Sequence, residues 1–344
     1  MTLAFDPVAF AAALIDIDST TGREAEAGRW LADRLRELGY TVVEQPLDRG
    51  CANVIATLDA PAVVLTTHYD CVPPFFRSRI ENGRLYGRGS CDAKGILAAQ
   101  VAAVERLRAG GERRVGLLFV AGEERGSDGA EAANSIAPGS RFVINGEPTD
   151  NRLAIATRGV LRVRLRAEGR AAHSAAPEYG VSAIDKLIDA LVRLRSIALP
   201  TDPEMGATFY TIGLIEGGIA PNVISPHATA ELLFRTTGDP EELLRTLRPL
   251  DPFVTSEEVL RVPAVKLHTV PGFPTAVFPF TTDVPFLDKW GTPLLFGPGS
   301  FLVAHTREEH LALAELDDAV AAYQRLAIAC LAARPGLKSD TAGQ

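Results

Sequence analysis

Cysteine is scarce in this 344-residue chain, and so are other soft or bulky side chains: four cysteines, two methionines, two tryptophans and six histidines. Cys51, Cys71, Cys91 and Cys330 show neither a CxxC spacing nor the density of a disulfide framework. Free thiols are expected, the ordinary state in the cytoplasm. Long apolar runs are missing too. The longest reach about half of the roughly twenty residues a membrane helix needs. The start, Met1–Asp6, has no basic segment, and Asp6 and Asp16 bracket the short apolar run that follows, which argues against a secretory signal. Positive charge is in deficit, with 35 Lys and Arg against 43 Asp and Glu, a net charge of −8. That disfavours a phosphate-binding surface, because nucleic-acid affinity comes largely from clustered cations. A cytoplasmic protein without nucleic-acid or membrane partners is expected.

What is present is the balance of a folded protein: 47% hydrophobic and 23% charged residues. The length allows about two domains. Residues 7–16, 24–38 and 94–109 carry apolar positions three or four apart and are expected as helices. The β-branched or apolar runs at 53–58, 63–67, 115–120, 141–144 and 293–296 are expected as strands, several of them buried. A loop rich in Pro, Gly and Arg fills 72–91, and a short helix is expected near 128–136. Strand and helix in alternation predict an α/β fold, a mostly parallel sheet with helices on both faces. The middle reads differently. Val160–Ala167 alternates apolar with Arg or Glu, so one face should be wet; a helix (181–196), two strands (208–215, 228–235) and a helix (239–247) follow. An extended run closes the segment. This is the series of a small α+β, ferredoxin-like sandwich. The expected division is 1–158 and 267–344 for the α/β domain, with 159–266 inserted as a lid and dimerisation domain. Glu309–Ala333 reads as a long closing helix, and Arg334–Gln344 as a frayed tail.

Polar residues collect just past strand ends, where open α/β sheets place their ligands. His68 and Asp70 follow strand 63–67; Glu123 and Glu124 follow 115–120; Glu147 follows 141–144. His305 follows 293–296 across Gly297-Pro-Gly-Ser300, and Asp92 ends the loop Gly87-Arg-Gly-Ser-Cys-Asp92. Converging carboxylates and imidazoles repel unless cations neutralise them. The spacing His68-Tyr-Asp70 puts both side chains on one side of an extended chain, so the carboxylate can orient the imidazole. Imidazole and carboxylate donors without thiolate suit zinc, with cobalt or manganese as alternatives. Each cluster alone is commonly structural or a solvated surface. Four at four successive strand ends are not explained that way.

His68-Tyr-Asp-Cys-Val-Pro73, Leu85-Tyr-Gly-Arg-Gly-Ser-Cys-Asp-Ala-Lys-Gly95, Gly122-Glu-Glu124 and Asn145-Gly-Glu-Pro-Thr149 resemble a known family. It is that of the dizinc metallopeptidases and deacylases, which includes acetylornithine deacetylase, succinyl-diaminopimelate desuccinylase, aminoacylase and carboxypeptidase G. Arg170-Ala-Ala-His-Ser174, Gly217-Gly-Ile-Ala-Pro-Asn222, Arg235 and Ala304-His-Thr306 continue the match in order, over about residues 5–333. The resemblance implies two zinc ions bridged by Asp92, with His68 and Glu147 completing one site and Glu124 and His305 the other. It implies that Asp70 orients His68, that Glu123 is the general base, and that His173 hydrogen-bonds the oxyanion, in cis or across a dimer. Asn222 and Arg235 would hold the substrate's carboxylate. A homodimer through the inserted domain is implied as well.

The expected activity is hydrolysis of an N-acyl amino acid bearing a free carboxylate. Acetylornithine deacetylation, in arginine biosynthesis, is the first expectation. Desuccinylation of succinyl-diaminopimelate, deacetylation of acetyl-lysine or acetylcitrulline, and carboxypeptidase or dipeptidase action are the alternatives. Outside this class stand a non-catalytic dimeric binding protein and a thiol amidase using Cys71 or Cys91. His227, His268 and His310 fall outside the motifs and read as structural. Thr281-Thr-Asp283 reads either as support for the site or as a helix cap.

Overall fold

The computed structural model describes residues 5–333; the expected fraying of Arg334–Gln344 lies outside them. The chain forms two compact units. One comprises the chain up to Ile155, Leu267–Ala276 and the chain from Thr282 onward; the other comprises Ala156–Lys266 with Val277–Thr281.

The first unit is built on a six-stranded sheet. Its order is Thr41–Pro46, Ala52–Thr57, Val115–Val120, Val63–His68, Phe142–Asn145 and Thr292–Leu295. The last four strands run parallel and the first two are antiparallel. Every residue of Val63–His68 and Val115–Val120 is buried, as expected for central strands covered on both faces. The helix Lys94–Ala109 packs against this sheet, and its burial is nearly continuous from Lys94 to Val104. Leu65, Leu117, Phe119, Ile96, Leu97, Val101 and the closing-helix residues Val320 and Tyr323 belong to one core. A second, smaller core of Val64, Leu118, Val120, Val143 and Trp290 also belongs to this unit. A single α/β unit with a mostly parallel sheet therefore stands as expected.

The second unit is a four-stranded antiparallel sheet in the order Phe209–Gly217, His227–Thr236, Gly159–Glu168, Thr255–Val262. The helices Ala183–Leu194 and Pro240–Leu247 share its core through Leu187, Leu194, Leu243 and Leu247 against Leu161, Val163, Leu165 and Phe234. The other face of Gly159–Glu168 is the wet one. Arg164 pairs with Glu231 at 2.6 Å and Arg166 with Glu257 at 2.6 Å, across neighbouring strands. The fourth strand, read only as an extended run, is charged and mostly exposed, so its side chains carry little apolar periodicity.

Two local expectations are corrected. The long helix starts at Leu313, not Glu309. His310–Ala312 instead pairs as a short strand with Arg84–Tyr86, and Glu309 is drawn into the interior. The Pro- and Gly-rich segment 72–91 is not all loop, because Arg79–Glu81 and Arg84–Tyr86 form a hairpin within it.

Candidate metal centre

The carboxyl ends of the parallel strands bring the polar clusters of the first unit together. His68 is the last residue of its strand and is buried. Its Nε2 lies 3.0 Å from Asp92 Oδ1. The other Asp92 oxygen, Oδ2, lies 3.2 Å from His305 Nε2. His305 Nε2 is also 2.9 Å from Glu124 Oε1. Asp92 thus offers one oxygen to each imidazole, the arrangement a bridging carboxylate requires. Two groups of potential ligand atoms result, His68 with Asp92 and Glu147, and Asp92 with Glu124 and His305. Within each group these atoms lie within 4.8 Å of one another. Glu123 is in neither group.

The nearest oxygen to His68 Nδ1 is the Asp70 backbone carbonyl, at 3.0 Å, while its carboxylate stands 3.6 Å away. The carboxylate oxygens accept the backbone N–H groups of Glu123 (3.2 Å) and Glu124 (3.1 Å). Those two amides open the short helix Glu123–Gly126, where they lack intrahelical acceptors. Asp70 therefore fixes the helix start that carries both glutamates, and both its backbone carbonyl and its carboxylate face the imidazole.

The donor set fits divalent cations. Glu147 is buried with Oε1 lacking a hydrogen-bond partner among the described residues, a costly state for a carboxylate unless an ion faces it. Burial, then the neighbouring carboxylates, lift the Glu123 and Glu147 carboxyls well above their usual range, against the pull of His68. Hydrogen bonds to Asp92 and Glu124 raise His305 to about 10. Burial works against a charged His68, yet its contacts with Asp70 and Asp92 raise it well above 6.5. The two imidazoles stand in for cations in this cluster of acids. Oxygen and imidazole donors without thiolate are those of zinc, cobalt and manganese sites.

The two thiols beside the ligands are buried and free. Burial pushes Cys71 up to about 12 and Cys91 well above 9, so neither is a ready thiolate. Asp283 is buried and lifted to about 6, first by burial. The adjacent turn is capped by Thr282, whose Oγ1 accepts from Val284 N at 3.2 Å, so Asp283 is not the cap. His268 stacks on Phe142, and His310 Nδ1 is 2.7 Å from the Glu308 carbonyl oxygen. Sequence reasoning missed the buried pair Arg88–Glu309. Its signals were an arginine between two glycines and an acid four residues after His305.

His173, Asn222 and Arg235 belong to the second unit. His173 and Asn222 are exposed neighbours there, with Ser174 N donating to the Asn222 carbonyl at 3.0 Å. Arg235 is half-buried on His227–Thr236. Its guanidinium makes no ion pair or hydrogen bond among the described residues, and burial lowers its pKa.

A mostly parallel sheet with two ligand groups sharing one aspartate at its strand ends defines a metallohydrolase class. Comparison gives the family. The sequence profile of peptidase family M20/M25/M40 matches residues 64–329, and the chain belongs to that family. It is 37% identical over 362 residues to a probable carboxypeptidase of Aspergillus terreus, covering 91% of this chain and 84% of that protein. Its fold is similar to the crystal structure of the aminopeptidase PepT from Bacillus cereus, with a TM-score of 0.78 at 22% identity, covering 94% of this chain and 97% of that one. A dinuclear metal-binding peptidase of the M20 family from Bacillus subtilis superposes with a TM-score of 0.72 at 15% identity, over 95% and 98% of the two chains. The protein is a metal-dependent hydrolase acting on peptide or amide bonds.

Proposed function

We propose that the protein hydrolyses an amide whose leaving amino acid carries a free carboxylate, using two divalent ions, zinc in the first instance. His68, Asp92 and Glu147 would hold one ion, and Asp92, Glu124 and His305 the other. When bound, such ions supply concentrated positive charge that acidifies water and polarises a carbonyl. Glu123 is the proton carrier. It lies outside both ligand groups, and the raised affinity of its carboxyl for a proton suits a base that takes a proton from the attacking water and returns it to the departing amine. Asp70 keeps Glu123 aimed by holding its backbone N–H. His173 would donate a hydrogen bond to the oxyanion.

The observation that carries the substrate reading is Arg235. A half-buried guanidinium with no acidic partner among the described residues is a cation without a counter-ion. A structural arginine in this unit looks different: Arg164 and Arg166 are both paired. A guanidinium binds a carboxylate with two parallel hydrogen bonds, and Asn222 would assist it. The group removed can be acyl or peptidyl. The relative named probable carboxypeptidase supports a C-terminal residue released from a peptide. Acetylornithine deacetylase-like action, in arginine biosynthesis, is the second reading and shares the carboxylate requirement.

The apolar residues Ile184, Ile188 and Val192 are exposed along one face of the helix Ala183–Leu194, and Phe209–Gly217 is an edge strand exposing Leu214 and Ile215. A bare apolar helix face beside an open sheet edge supports a homodimer through this unit. A cytoplasmic setting accords with the free thiols. The test is a panel of N-acyl amino acids and dipeptides, each with its C-amidated counterpart, assayed on metal-loaded protein. Turnover of amidated substrates at rates equal to the free acids would overturn the carboxylate reading.

A further inference from the structure

The loop carrying the shared aspartate is wrapped around a carboxylate from the far end of the sequence. Glu309 is fully buried. Its Oε1 accepts the backbone N–H groups of Gly89 (3.0 Å), Cys91 (3.1 Å) and Asp92 (3.1 Å). Its Oε2 accepts from Arg88 Nη1, and the Gly87 N–H reaches the Glu309 carbonyl at 3.3 Å. Arg88 is buried too, with Nε on the Pro74 carbonyl at 3.2 Å and its guanidinium over the Phe76 ring. Successive N–H groups converging on one anion form a nest, a geometry commonly used for phosphate or other bound anions. Here the anion is built in. The close wrap needs Gly89: its φ is +88°, and a Cβ there would lie 2.7 Å from Cys71 Sγ.

Two features separate this pair from an ordinary buried ion pair. One donor of the nest is the backbone N–H of Asp92 itself, the residue whose two oxygens face His68 and His305. The anchor is also in the same loop as His305, four residues on, just before the strand His310–Ala312. Glu309 therefore clips the Asp92 loop to the His305 loop, which are more than two hundred residues apart in sequence.

We infer that Glu309 is a positioning residue of the metal centre: by clamping the backbone of Asp92 to the loop of His305, it sets the spacing of the Asp92–Glu124–His305 group. The His68 side depends on it less, because His68 and Glu147 are carried by strand ends of the central sheet. This inference rests on the two-ion reading above.

The experiment titrates Co2+ into chelator-stripped full-length protein, wild type, Glu309→Asp and Glu309→Gln. It follows visible d–d absorption, bound metal per chain and the thermal midpoint. Glu309→Asp keeps the charge but pulls the anchor back by one methylene; Glu309→Gln keeps the shape and the Oε1 acceptor but leaves Arg88 uncompensated. The expected result is a first Co2+ equivalent within about threefold of wild-type affinity, with its spectrum unchanged. The second equivalent weakens at least about tenfold, with an altered spectrum, as expected when an outer-shell partner is lost. Both equivalents unchanged beside a lowered thermal midpoint would mean a purely structural pair and overturn the inference. So would equal weakening of both, or failure of both variants to fold. Fewer than two Co2+ bound by the wild type would instead overturn the two-ion reading, and this inference with it.

Discussion

Glu123 and Glu124 are adjacent in sequence yet differ in what they can do. Glu124 Oε1 reaches His305, whereas Glu123 is in neither ligand group. Glu123→Gln should keep two metals per chain and lower kcat by at least about 10²-fold, a usual loss for a general base. Metal analysis beside steady-state rates checks this, and loss of an ion from that variant would show the roles reversed. Arg235 supplies a second residue-scale prediction. Amidating the substrate's carboxylate should cost wild type at least about tenfold in kcat/KM, roughly 1.4 kcal/mol. Arg235→Lys and Arg235→Ala should erase most of that preference with metal content unchanged. Equal losses on free and amidated substrates in these variants would return Arg235 to a structural role. The burial of Arg235 was not visible from its sequence neighbours. The alternation that placed it on a strand was.

At the scale of elements, the strand ends gather acids that repel when no cation is bound. His305 is raised to about 10 and His68 well above 6.5 in the folded chain. Each contributes stability that is present below pH 6.5 and lost as pH rises through its folded value. Asp283 is lifted to about 6 and Glu147 well above its usual range, so their ionisation also costs the folded state as pH rises. Asp92 has the opposite sign, being held low, but its contribution is complete below pH 6. Metal-free protein should therefore lose stability between about pH 6.5 and 10 as the imidazoles deprotonate, the Asp283 cost being already complete near pH 6. Zinc requires neutral imidazoles and ionised carboxylates, so the rise in Tm it produces should grow over the same window. Thermal melts of chelator-treated protein with and without zinc at several pH values test both signs. A zinc-dependent rise that shrinks with increasing pH would contradict this account of the site.

At the scale of the whole molecule, the second unit carries the exposed apolar face. Ile188 and Val192 are 51% and 61% exposed on the helix whose other face is core. The double variant Ile188→Glu, Val192→Glu should sediment as a monomer and retain its metal, because the ligands lie in the other unit. A wild-type protein already monomeric at micromolar concentration would remove the dimer proposal. Among the described residues no helix is long and apolar enough to cross a membrane.

The six-stranded sheet and the residues at its strand ends were legible in the sequence because buried parallel strands read as unbroken apolar runs. His68 ends such a run, and Glu123, Glu124 and Glu147 follow within a few residues of one. The strand Thr255–Val262 was not legible as one, since an exposed charged edge leaves no apolar alternation. Local pattern favours a helix start at Glu309; a strand pairing of the next residues with Arg84–Tyr86 and three distant N–H donors override it. Periodicity and local propensity thus determined which elements form and which polar residues stand at their ends. The tertiary structure decided which backbone groups Asp70 and Glu309 hold, because those contacts join segments tens to hundreds of residues apart, where sequence spacing carries no information.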